Sequence, residues 1–133
     1  MPGPANATLL HHFKDEIDAA FLYRELALVE PDAKRKDLYL RLADVEDRHA
    51  AVWSKILADQ GHVTAASRPS GKARLMAWTA RHFGPRVLTH MLLREEGHEV
   101  LGYLALHRES APGVVQDAAL ELARDSAHHA ETL

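Results

Sequence analysis

Two kinds of side chain in this sequence are spaced to do chemistry together: carboxylates and histidines at helical intervals. In DVEDRHAAVW, Glu46 and His49 stand three apart, which puts them on neighbouring parts of one helix face. Leu42, Val45, Val52 and Trp53 surround them on the apolar stripe, so the pair is expected to point inward. A Glu-x-x-His pair facing the centre of a helical bundle is a ligand pattern for two metal ions. Near the C-terminus Asp125 and His128 repeat the three-residue spacing after Leu122, with His129 as an equally placed inward histidine and Glu131 beside them. Glu16 lies between Phe13 and Ala20, and Glu96 follows Leu92 by four, with Glu99 three further on. Each of Glu16 and Glu96 is followed after seven residues by a tyrosine, Tyr23 and Tyr103, on the same face about two turns away. A buried tyrosine needs a partner for its hydroxyl, and a carboxylate on a neighbouring helix would serve.

Taken singly, each of these groups has a plain alternative, a solvated acid or a packed histidine. Together they form a two-fold pattern of one inward acid and one acid-x-x-His from each half of the chain. Unpaired carboxylates in a dry core cost several kcal/mol each, of order, and cations remove that cost. Mixed oxygen and imidazole donors suit iron or manganese, with zinc also within range, and suit calcium less well. The other histidines are expected at the surface: His11 and His12 on an exposed first turn, His62 in a loop, and His82, His90, His98 and His107 away from any clear inward face. The runs KRK at 34–36 and RHFGPR at 81–86 read as solvated faces.

Helices must hold these residues. The first is expected from about Thr8 to Glu30, with Phe13, Ile17, Ala20, Phe21 and Leu28 on its apolar stripe and Pro31 after its end. The second spans about Asp32, a candidate N-cap, to Gln60, and Gly61 stops it. Residues 61–70 read as loop, and KARLMAWTARHF as a shorter amphipathic helix ended by Gly84. The third long helix is expected from Pro85 to Glu109 and the fourth from Val114 onward. The links within each half are tight, while the second and third long helices are separated by about two dozen residues. That inequality predicts an all-α fold of two hairpins joined by a crossover, the ferritin-like four-helix arrangement, in a single domain over 1–133.

Composition bounds the rest. The 133 residues are 47% hydrophobic, 26% charged and only 6% aromatic, an ordinary globular mixture that favours helix over strand. A net charge of −3 gives no electrostatic case for nucleic acid. Absence of cysteine excludes disulfides, thiolate zinc and iron–sulfur clusters and fits a reducing compartment, so a cytoplasmic location is expected. No stretch reaches about 18 apolar residues. Trp53 and Trp78 are the candidate contacts of a homodimer.

The stretches FKDEIDAAFLYRELA, LYLRLADVEDRHAAVW, REEGHEVLGYLALHRES and LELARDSAHHAETL resemble the four helices of the rubrerythrin-like branch of the ferritin superfamily. The likeness is strongest to the ferritin-like domain fused in some bacteria to a vacuolar-iron-transporter-type membrane domain. It covers about residues 9 to 131. It implies two iron ions held by Glu16, Glu46, His49, Glu96 and Glu99, with Asp125 and His128 where the second Glu-x-x-His belongs. Asp125 is shorter than the family's glutamate, and Glu131 is a substitute for it. The implied activity is oxidation of ferrous iron by O2 or peroxide. A second reading of the same ligands is a module that senses or delivers iron or manganese for a fused or partner transporter. A third is a metal-free interaction domain. The helical pattern runs to Leu133 without a stop signal, and the resemblance implies a continuation into a membrane domain, with this domain on its cytosolic face.

Overall fold

The computed structural model describes residues 6–62, 68–109 and 112–132, and all its regular structure is helical. The helices are α1 (Asn6–Val29), α2 (Ala33–Asp59), α3 (Gly71–Phe83), α4 (Pro85–Glu109) and α5 (Val114–Thr132). Their limits follow from local chemistry. Asp32 caps α2, its Oδ2 accepting from the Arg35 amide at 3.0 Å. At the other end the chain leaves α2 through Gly61 at φ 83°, a conformation that glycine reaches without strain. Ser70 caps α3, its Oγ accepting from the Ala73 amide at 3.1 Å. Gly84, at φ 103°, separates α3 from α4. The first helix starts at Asn6, two residues ahead of the expected Thr8, which lies inside it. The part of the expected loop at 63–67 and the end of the chain at Leu133 lie outside the described residues.

Contacts between side chains fix how the helices run. His12 meets Trp53, and Arg24 reaches Asp44 and Asp47, so α1 and α2 are antiparallel. Glu99 meets Ser126 while His107 meets Gln116, so α4 and α5 are antiparallel as well. Tyr23 on Glu96 and His12 on Tyr103 set α4 antiparallel to α1. The α1–α2 and α4–α5 pairings are the most extensive. α3 runs alongside α1 in the same direction, tied at one end by Asp18 to Ser70 and at the other by Glu25 to Arg81.

Burial divides the interior into three layers. One apolar cluster joins Leu22, Leu26, Tyr39, Leu42, Leu88 and Leu92 with Ala73, Ala77 and Ala80 of α3. A second joins Leu9, Phe13, Trp53, Leu57, Tyr103, Leu106 and Leu122. Between them, on every one of α1, α2, α4 and α5, lie the buried polar residues Glu16, Glu46, His49, Glu96, Glu99, Ser126 and His129. The alanines of α3 let its backbone approach closely where α5 does not contribute to the core.

Several placements differ from those expected. Leu28 is exposed, since Leu22, Leu26 and Ala27 take the inward positions at that end of α1. Trp53 is fully buried against His12 and Tyr103, which removes it as a surface contact, while Trp78 is 52% exposed and packs on His82. His12 is buried, sharing the face of Leu9 and Glu16. His107 is half-buried, its Nδ1 donating to the Gln116 carbonyl at 3.0 Å while Gln116 Nε2 donates back to the His107 carbonyl at 3.1 Å. No helix among the described residues is long and apolar enough to cross a membrane.

Candidate metal centre

The polar layer contains two groups whose ligand atoms lie within 4.8 Å of one another: Glu16, Glu46 and His49, and Glu46, Glu96 and His129. All five residues are buried. Glu46 belongs to both groups, and its two oxygens are divided between them. Oε1 accepts from His129 Nδ1 at 2.9 Å, and Oε2 lies 3.7 Å from His49 Nδ1. His49 Nδ1 also lies 3.4 Å from Glu16 Oε2, and His129 Nδ1 lies 3.3 Å from Glu96 Oε1. The two imidazole rings are nearly parallel, with centroids 6.1 Å apart. A carboxylate with one oxygen facing each of two acid–histidine pairs is the arrangement that lets one side chain span two cations.

The sequence placed Glu16, Glu46, His49, Glu96 and Glu99 on inward faces, and the structure buries all five in the one layer; Glu99, unlike the other four, lies outside both groups. On α5 the register is corrected. His128 is exposed and the inward histidine is His129. At about 100° per residue, Ser126 and His129 fall within about 40° of Leu122, whereas His128 is turned about 120° away. Asp125 is only half-buried and lies outside both groups. It meets the far side of His49, with Nε2 donating to Asp125 Oδ2 at 2.9 Å. A carboxylate behind a ligating histidine fixes the ring and its tautomer and raises its basicity. Glu131 is exposed and stands in for neither.

The corrected register exposes a substitution within the two-fold pattern. Ser126 stands three residues before His129, as Glu46 stands three before His49. Its hydroxyl donates at 3.1 Å to Oε2 of Glu99, one turn along α4 from Glu96. The position on α5 that would mirror Glu46 thus carries no acid, and its serine binds Glu99 of α4, which lies outside both groups.

Tyr23 donates to Glu96 Oε1 at 2.7 Å, the cross-helix partnership expected of it. Tyr103 does not repeat it: its buried hydroxyl has no hydrogen-bond partner and its ring packs on Trp53 and His12. Burial followed by the charge of Glu96 holds the Tyr23 hydroxyl protonated far above its usual range.

Electrostatics match a centre waiting for positive charge. Burial alone would raise the Glu46 carboxyl, but the hydrogen bond from His129 and the nearby His49 imidazole outweigh it and hold it down at about 2. Burial alone would lower His129, but its bonds to Glu46 and Glu96 outweigh that and raise it to about 9. His49 is raised against burial by Glu46 and Asp125. Burial raises Glu96, and raises Glu99 well above the ordinary carboxylate range with the charges of Glu46 and Glu96 adding to it. Both oxygens of Glu16, Oε2 of Glu46, Oε2 of Glu96 and Nδ1 of His49 have no hydrogen-bond partner. Buried polar atoms without partners are few in folded proteins, and five in one layer mark a place built for something else. Carboxylate oxygens and imidazole nitrogens fit a divalent transition ion.

Comparisons with protein-family models, with curated proteins and with solved structures find no match to this chain.

Proposed function

We propose that this chain is a di-iron carboxylate protein that binds ferrous iron and oxidises it with O2 or peroxide, in a ferritin-like four-helix bundle with α3 on the crossover. The observation that carries the reading is Glu46, buried and shared by two acid–histidine groups whose remaining oxygens lack partners. Glu16, Glu46 and His49 would hold one ion, and Glu46, Glu96 and His129 the other, with Glu99 completing the layer. Ferrous ions supply one electron each to the oxidant. The chain's own residues do the remainder. Glu46 sets the separation of the two positions. Asp125 orients His49, Tyr23 orients Glu96 and Ser126 orients Glu99, so the carboxylates are not free to collapse onto one another. The apolar clusters cover the layer on either side.

The test is an anaerobic titration of metal-free protein with ferrous iron, followed by oxygen. Two ferrous ions bound per chain and rapid growth of ferric absorbance with more than one turnover per site are expected. Stoichiometric binding without oxidation would move the reading to the sensing or delivery module. A chain that retains no metal would sink both.

A further inference from the structure

A cleft reaches the polar layer at Glu99. Between α1, α3 and α4 lies a cavity of about 600 Å³, and a smaller one of about 210 Å³ shares part of its wall. Of the four buried glutamates, Glu99 alone lines either, and it lines both. It is also the most exposed of the four, at 7% against 0–2% for Glu16, Glu46 and Glu96. Both cavities carry Asp15 and Glu95 on their walls, half-buried acids one turn or less in sequence from Glu16, Glu96 and Glu99. His11 stands at the same wall with Nε2 3.2 Å from Asp15 Oδ2. Lys72, from the first turn of α3, reaches to 4.0 Å from Glu95 Oε1, and its side chain is mostly in solvent. A cation moving inward along this wall would pass from Asp15 and Glu95 to Glu99 without crossing an apolar layer. The Lys72 ammonium, on a long flexible stem, and the Arg94 guanidinium on the wall of the larger cavity are the charges that oppose it.

We infer that divalent cations reach the centre through the cleft between α1, α3 and α4, drawn in by Asp15 and Glu95, received by Glu99, and held back by Lys72. This passage rests on the metal-centre reading, and its test separates the two. Anaerobic ferrous ion alone is mixed by stopped flow with the metal-free 133-residue chain carrying Trp78→Phe. Buried Trp53, one turn along α2 from His49, is then the sole tryptophan reporter. At low ionic strength Glu95→Lys slows loading about tenfold, and Lys72→Glu speeds it severalfold, because charge at a cleft mouth acts on the rate of approach. The final stoichiometry is unchanged in both. Glu121→Lys makes the same charge change on α5, which lines neither cavity, and alters the rate by less than about twofold. Salt above about 0.5 M removes most of the difference between the variants. Equal slowing by Glu95→Lys and Glu121→Lys, or no response to Lys72→Glu in protein that loads fully, overturns the passage and leaves the centre standing. Parent chain that takes up no iron at any time overturns both.

Discussion

Glu46 carries more than any other residue in the polar layer, because it is counted in both ligand groups. Removing Glu16 should weaken one position, whereas Glu46→Ala should empty both. We expect Glu46→Ala to lower bound iron from two ions per chain to less than about half an ion at micromolar iron, checked by metal analysis after desalting. His49 and Asp125 give a second contrast on the same scale. Asp125→Ala leaves every proposed ligand in place but frees the outer nitrogen of His49. A loss of about 10–100-fold in affinity at the position of Glu16, Glu46 and His49 is expected by isothermal titration. His128→Ala, one residue from a proposed ligand but exposed, should change neither affinity nor stability beyond about 0.5 kcal/mol. Two adjacent histidines with opposite consequences make the register of α5 directly testable.

At the scale of the elements, α3 is the piece whose position is set by the fewest contacts. Its N-terminus is secured twice over, by Ser70 capping the helix and by Asp18 of α1 holding Ser70 through both its amide and its hydroxyl. Ser70→Ala removes the cap and leaves Asp18 with the amide alone. A loss of about 1–2 kcal/mol in urea unfolding is expected, accompanied by faster proteolysis between α2 and α3. The limits of the helices were legible in the sequence because punctuation is local: Pro31, Gly61, Gly84 with Pro85, and Gly113 each act on the backbone where they stand. The ligands on α1, α2 and α4 were legible for a related reason, since each acid lies one turn from an apolar neighbour on an otherwise clear stripe. On α5 the stripe is thin, and Asp125, His128 and His129 present competing spacings. The decisive signal was Leu122, Ser126 and His129 at intervals of four and three, which carries no acid and so did not look like a ligand face. The burial of His12 could have been read from Leu9 and Glu16, three before and four after it on the same face. That Ser126 binds Glu99 depends on a contact across two helices, and no one-dimensional pattern holds it.

On the scale of the whole molecule, protonation and metal compete for the same interior. In the metal-free protein the raised groups dominate: His129 at about 9, His49, Glu96 and Glu99 all bind protons more tightly folded than unfolded. Stability from His129 is complete below about pH 6.5 and is lost as pH rises through about 9; Glu96 and Glu99 act in the same direction from about pH 4.5 upward. Glu46, lowered to about 2, acts oppositely, its contribution present above about pH 4.5 and lost as pH falls through 2. Metal-free protein should therefore melt at a higher temperature near pH 6 than near pH 9, measured by circular dichroism in the presence of a chelator. Metal-loaded protein should show the reverse trend, since loading displaces those protons.

The sandwiching of a charged layer between two apolar clusters also governs where the molecule opens. Helices ordinarily fray from their tips, but here the two oily clusters should be the cohesive parts and the polar waist between them the loose one. With metal stripped, amide hydrogens at 45–50 and 95–100 should exchange with deuterium faster than those at 39–43 and 53–57. Filling the waist with metal should make the slow and fast belts alike. A protein built this way would come undone from its middle outward.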